Sequence, residues 1–126
     1  MSLTNGRSVG RSLREKLLNL LSFARFPGSA KYWDLRYRVG GTSGPGSYGA
    51  DMHYKAEFLN ALIDQYHIKS VVDFGCGDGN QLRELKVGRY LGFDVSDAAI
   101  ERCRKKYADD PSKTFLAVRE YHWERA

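Results

Sequence analysis

Scarcity sets the first limits on this chain of 126 residues. Its two cysteines, Cys76 and Cys103, are too few and too widely separated for a disulfide framework or a zinc-ligand spacing, so reduced thiols and no metal are expected. Its three histidines, His53, His67 and His122, stand apart beside Tyr or Ile, and no Ser-His-Asp or Cys-His arrangement can be drawn. They read as surface or interface positions. No apolar run approaches the 18 or so residues of a membrane span, and the N-terminus lacks a short apolar core with a small-residue cleavage site. A cytoplasmic protein with no stable membrane insertion is the expectation. Charge of one sign is also lacking: 20 Lys and Arg face 15 Asp and Glu, a net charge of +5 that permits an anionic partner without requiring one. Basic residues gather at Arg7, Arg11, Arg14, Lys16 and Arg25, and again at Arg102, Arg104, Lys105 and Lys106. The second group shares a helix with Glu101 and reads as a solvated face rather than a phosphate-binding patch, so nucleic acid is not the favoured partner. At this length, with 42% hydrophobic and 28% charged residues, the chain is one soluble domain at most.

Glycine is plentiful and concentrated in two places. The first is Val71-Val72-Asp73-Phe74-Gly75-Cys76-Gly77-Asp78-Gly79-Asn80-Gln81, a buried strand running into a glycine turn. Glycines on alternate positions let the backbone take positive φ and let a ligand approach where a Cβ would block it. A dinucleotide fingerprint, Gly-x-Gly-x-x-Gly, would need its third glycine one residue later. Asp73 and Asp78 would repel a pyrophosphate but suit a ligand carrying an ammonium and a sulfonium. Cys76 occupies a position for a small residue and reads as packing, not as a nucleophile. Twenty-one residues beyond Asp73, the segment Tyr90 to Ser96 reads as a second strand ending in Asp94, where a carboxylate can accept both hydrogen bonds of a ribose diol.

An acid followed by Gly-x-Gly-x-Gly at positions 73 to 79 resembles the first motif of the class I S-adenosylmethionine-dependent methyltransferases. The resemblance implies S-adenosylmethionine as cofactor, with Asp73 near the amino group of its methionine part. Gly75, Cys76, Gly77, Asp78 and Gly79 then line its path, Asp94 takes the ribose, and Val95 and Ser96 lie at the adenine edge. It also implies methyl transfer, to an unidentified acceptor expected to be a small molecule or glycan-like; a non-catalytic cofactor- or nucleotide-binding module or partner subunit is the alternative. Catalytic residues are not assigned.

The second glycine concentration is Gly40 to Gly49, five glycines and Pro45 in ten residues, which excludes a helix or a central strand. Ahead of it stands Tyr32-Trp33-Asp34-Leu35-Arg36-Tyr37-Arg38, similar to a segment preceding the cofactor domain in many methyltransferases. A lid is expected, mobile without ligand, with Arg36, Ser47 and Tyr48 touching or covering the cofactor. Leu13, Leu17, Leu20, Leu21 and Ala24 form one apolar stripe on a helix over 8–26 that should stop at Pro27-Gly28. Further helices are expected over 51–67, 81–86 and from Ser96, a candidate N-cap, to Tyr107; strands are expected over 68–74, 89–94 and 114–118. The alternation describes an incomplete Rossmann-like α/β fold, a doubly wound parallel sheet. Residues 1–50 would hold the amphipathic helix and lid, and 51–126 the first half of a cofactor-binding domain. The methyltransferase fold has seven strands and only three are expected here, so the chain reads as a fragment. Strand one would be an open edge, completed by missing strands or by a homo-oligomer.

Overall fold

The computed structural model of the chain describes Leu13, Glu15, Lys16 and residues 28–121. The expected helix over 8–26 lies outside the described residues except for those three, which are helical and exposed. From residue 29 the elements are helix α1 (Ser29–Arg38), a 3-10 turn (Pro45–Ser47), helix α2 (Gly49–Gln65), strand β1 (Ser70–Phe74) and a 3-10 turn (Gln81–Glu84). Strand β2 (Arg89–Asp94), helix α3 (Asp97–Lys106), strand β3 (Lys113–Ala117) and a 3-10 turn (Val118–Glu120) follow.

The three strands are parallel in the order β1-β2-β3, which makes this an incomplete Rossmann-like α/β fold. Phe74 pairs with Phe93 and Phe93 with Leu116, so the C-terminal ends of the strands lie level. The core is small and sits on one face of the sheet: Tyr90, Phe115 and Ala117 pack against Ile100 and Cys103 of α3, with Cys76 and Leu82 closing the cluster. The opposite face is uncovered at β1, where Val72 is 54% and Phe74 74% exposed. In the strand order β1 also stands at the end of the sheet, with no strand beyond it among the described residues, as its sequence led us to expect.

Local chemistry sets the boundaries. The Ser96 hydroxyl accepts the Ala99 amide and begins α3, while Arg104, Lys105 and Lys106 in its last turn complement the helix dipole. α2 ends by reversal: His67 takes φ 51°, and the amides of His67 and Ile68 return to the carbonyls of Asp64 and Ile63. Where a helix was expected over 81–86 there is only a 3-10 turn. Asn60 of α2 explains it, since its side chain donates to the Glu84 carbonyl and accepts the Lys86 amide, groups a continuing helix would have used. α1 itself was not anticipated as a helix. Its position depends on Asp34, whose carboxylate accepts the Ser96 hydroxyl and the Ala98 amide, both at 3.0 Å, and so caps α3 from another element.

Candidate functional site

The glycine turn is fastened to the end of β2. The amides of Gly75 and Cys76 both donate to the Phe93 carbonyl, at 2.7 and 2.9 Å. Asp94 then does two things: its Oδ2 accepts the Gly77 amide at 2.9 Å, and its Oδ1 accepts the Ser96 amide at 2.9 Å. Two positions require glycine for distinct reasons. At Gly75, φ +96° leaves open space where a Cβ would point. At Gly77, φ +57° comes with a close approach, since a Cβ there would lie 2.2 Å from Ser43 Oγ.

These elements surround a cavity of about 600 Å³ at the C-terminal ends of the strands, the usual place for a ligand in an open α/β sheet. Of the residues expected at the site, Asp73, Gly75, Cys76, Gly77, Asp94, Val95 and Ser47 line it. Asp73 sits there with one oxygen accepting the Tyr90 hydroxyl at 2.6 Å, which fixes its orientation. Trp33 and Tyr37 of α1, Ser43, Lys55 of α2, Phe74, Gln81 and Val118 also line it and were missed. Phe74 and Gln81 stand inside the glycine-turn stretch but were not singled out, and the aromatic run of α1 carried a signal that pointed to Arg36 instead. Tyr37 is buried, stacks on Trp33 at 6.0 Å and hydrogen-bonds Ser43; burial pushes its hydroxyl pKa up to about 12 against the opposing effect of Ser43. It is therefore a neutral hydrogen-bonding group in the cavity wall.

Five expected residues lie elsewhere. Gly79 and Ser96 do not reach the cavity, and the Ser96 side chain is spent on the α3 cap and Asp34. Arg36 donates to the Thr42 carbonyl and lies over Trp33 at 5.8 Å. Asp78 does not line the cavity and holds the glycine-rich segment. It accepts the Ser43 amide at 3.0 Å, the Tyr48 hydroxyl at 2.6 Å and the Asn80 amide at 3.1 Å, while its own amide donates to Ser43 Oγ. Burial would raise its pKa, but the donors from Tyr48, Ser43 and Asn80 outweigh burial and hold it below the ordinary carboxylate value. Burial and the Asp78 bond together raise the Tyr48 pKa. Segment 40–49 is further tied by Lys55 to Gly46, Asn80 to Ser47 and Arg102 to Gly41. In this structure the segment is strapped, because polar groups far along the chain supply what regular structure would have.

The basic residues of α3 are likewise not a merely solvated face. Arg102 donates to the carbonyls of Tyr37 and Gly41, Arg104 to that of Phe115, and Lys106 to that of Asp78. Cys76 and Cys103 are buried free thiols; contact with Cys103 and then burial raise the Cys76 pKa, as suits packing and not nucleophilic attack. His53 pairs with Glu84 at 2.6 Å on the surface, and His122 lies outside the described residues. Among the described residues no group of His, Cys, Asp and Glu could hold a metal, and no helix is long and apolar enough to cross a membrane.

Residues 71–122 match the family model of a methyltransferase domain. The mRNA cap guanine-N(7) methyltransferase of Candida glabrata is 34% identical over 62 residues, covering 45% of this chain and 15% of that protein. A Klebsiella pneumoniae structure assigned as an O-methyltransferase superposes at TM-score 0.49 with 18% identity, covering 81% of this chain and 49% of that one. A geranyl diphosphate methyltransferase in complex with GPP and sinefungin gives TM-score 0.40 and 18% identity over 82% and 48%. The matched segment, 52 residues, is thus similar to a methyltransferase domain. The chain spans about 15% of the length of the curated relative it matches.

Proposed function

We propose that the cavity binds S-adenosylmethionine and that the protein transfers its methyl group to a small-molecule or glycan-like acceptor. The observation that carries this reading is Asp94. A single buried carboxylate at the tip of β2 fixes the glycine turn through Gly77 and still lines the cavity. A carboxylate offers about four acceptor positions and backbone amides fill two here, which leaves room for a ribose diol. The open space at Gly75 gives the ligand its path along the backbone, and Asp73 stands beside it for the ammonium. Val95 and Val118 give the apolar walls that an adenine needs.

When bound, the cofactor supplies an electrophilic methyl on a sulfonium. The residues present orient it and exclude water; Trp33, Tyr37 and Phe74 give that wall its aromatic surface. The small-molecule reading of the acceptor is supported by the basic residues of α3, three of whose four cations are engaged with backbone carbonyls. A capped RNA acceptor is the second reading, favoured by the likeness to the cap methyltransferase. A binding module without catalysis is the third, since the assigned residues include no base. The β1 edge, with Val72 and Phe74 exposed, is proposed to pair with a further strand of a longer polypeptide or with a second copy.

Calorimetry on the full-length protein tests the reading. S-adenosylmethionine and S-adenosylhomocysteine should bind and NAD and NADP should not, because the third glycine comes one residue early for a pyrophosphate. NAD binding without a response to S-adenosylhomocysteine would reject it. Labelled methyl transfer to capped RNA would select the second reading, and binding with no transfer to any acceptor offered would select the third.

A further inference from the structure

The charges of the cavity wall are not all acidic. Among its described lining residues Asp73 and Asp94 are the two anions and Lys55 is the one cation. Lys55 lies on α2, and its Nζ donates to the Gly46 carbonyl at 2.5 Å. An ammonium has three donors, so this bond places the group and leaves two free. A second observation marks the same wall. Gln81 Nε2 donates to the carbonyl of Met52, one turn before Lys55 on α2, at 3.1 Å. With the nitrogen committed, Gln81 Oε1 is buried and has no hydrogen-bond partner. A buried acceptor left without a donor is costly, and a ligand donor relieves it.

We propose that Lys55 and Gln81 form the pole of the cavity that recognises the amino-acid end of the cofactor. Lys55 takes the α-carboxylate and Gln81 Oε1 takes the α-ammonium. This rests on the S-adenosylmethionine reading above and refines it. Asp73, already accepting the Tyr90 hydroxyl, then shares the ammonium with Gln81 instead of holding it alone. The match is one of charge as well as position. Two anions and one cation in the wall face a ligand with two cations, the ammonium and the sulfonium, and one anion. Lys55 thereby separates S-adenosylmethionine from analogues that keep the sulfonium but lack the carboxylate. It is a specificity residue contributed by α2 and not by the glycine turn.

The test compares S-adenosylmethionine with decarboxylated S-adenosylmethionine by calorimetry on the full-length protein, in wild type, Lys55→Met, Lys55→Arg and Gln81→Leu. Wild type should prefer the carboxylated ligand by roughly two- to fivefold, as befits one charge-assisted bond at an exposed group. Lys55→Met should abolish that preference by weakening S-adenosylmethionine alone, and Lys55→Arg should restore most of it. Gln81→Leu should weaken both ligands about equally, since both retain the ammonium. A Lys55→Met protein whose ratio of the two affinities equals that of wild type would overturn the proposal. If wild type binds neither ligand, the cofactor reading beneath it fails as well.

Discussion

Replacing Asp94 with asparagine separates the two tasks of this carboxylate. The amide is nearly isosteric, so packing at this buried position is kept while one oxygen becomes an NH2 donor. In the fold, either the Gly77 or the Ser96 amide then faces a donor where it now has an acceptor at 2.9 Å. One buried amide without a partner costs about 1–3 kcal/mol. In a domain of this size that lowers Tm by about 4 °C per kcal/mol. In the complex, the ribose diol loses a charged acceptor, worth about 2–3 kcal/mol, or on the order of 30- to 150-fold in Kd for S-adenosylhomocysteine. Alanine would remove both acceptors at once and confuse unfolding with loss of binding, so asparagine is the sharper probe. The assay is a calorimetric titration on the folded variant, paired with thermal unfolding and repeated with a ligand lacking the ribose hydroxyls. The variant should discriminate poorly between the two ligands, whereas wild type discriminates strongly. An Asp94→Asn protein that binds S-adenosylhomocysteine as tightly as wild type would refute the assignment of Asp94 to the ribose.

The other expectations concern the strap and the turn. Tyr48→Phe removes only the hydroxyl bonded to Asp78 and should cost about 1–2 kcal/mol; hydrogen exchange at the Ser43 amide should quicken, and unchanged exchange would mean that Tyr48 does not hold the segment. Gly77→Ala should destabilise by at least about 1–2 kcal/mol from the left-handed backbone alone, before the clash with Ser43 Oγ, and an unchanged Tm would contradict the geometry. Asp34 and Asp78 both have folded-state pKa values below the ordinary carboxylate value, because their donors outweigh burial. The stability they contribute is therefore complete above about pH 4 and is lost as pH falls from there through their folded-state values. Thermal unfolding followed from pH 6 to pH 3 should show Tm falling at the acid end, less steeply in Asp78→Asn, and a flat profile would argue against both networks.

Those networks also explain what the sequence did and did not disclose. The glycine turn, Asp94 and the alternation of β1, β2, α3 and β3 were legible because each depends on neighbours within a few positions. β2 was read at its observed bounds, Arg89–Asp94. α1 was not legible as a helix, since what docks it is the Asp34 carboxylate capping a helix start more than sixty positions away. Asp78 was read as a cofactor residue because the motif contains it; the partners the structure gives it, Ser43 and Tyr48, are 35 and 30 positions distant. For the same reason the contacts that tie down the glycine-rich segment were not legible, and the cations of α3 looked solvated. Lys55 carries no local signal, and Gln81, though it ends the glycine-turn stretch, carries none that points to the site; only the cavity brings them together.

A crystal structure of the full-length protein with S-adenosylhomocysteine tests the central claim most directly. Both ribose hydroxyls should lie within hydrogen-bonding distance of the Asp94 carboxylate, with the amino-acid end along Gly75 and the adenine against Val95. A ligand bound elsewhere, or bound in this cavity with its ribose turned away from Asp94, would contradict the account.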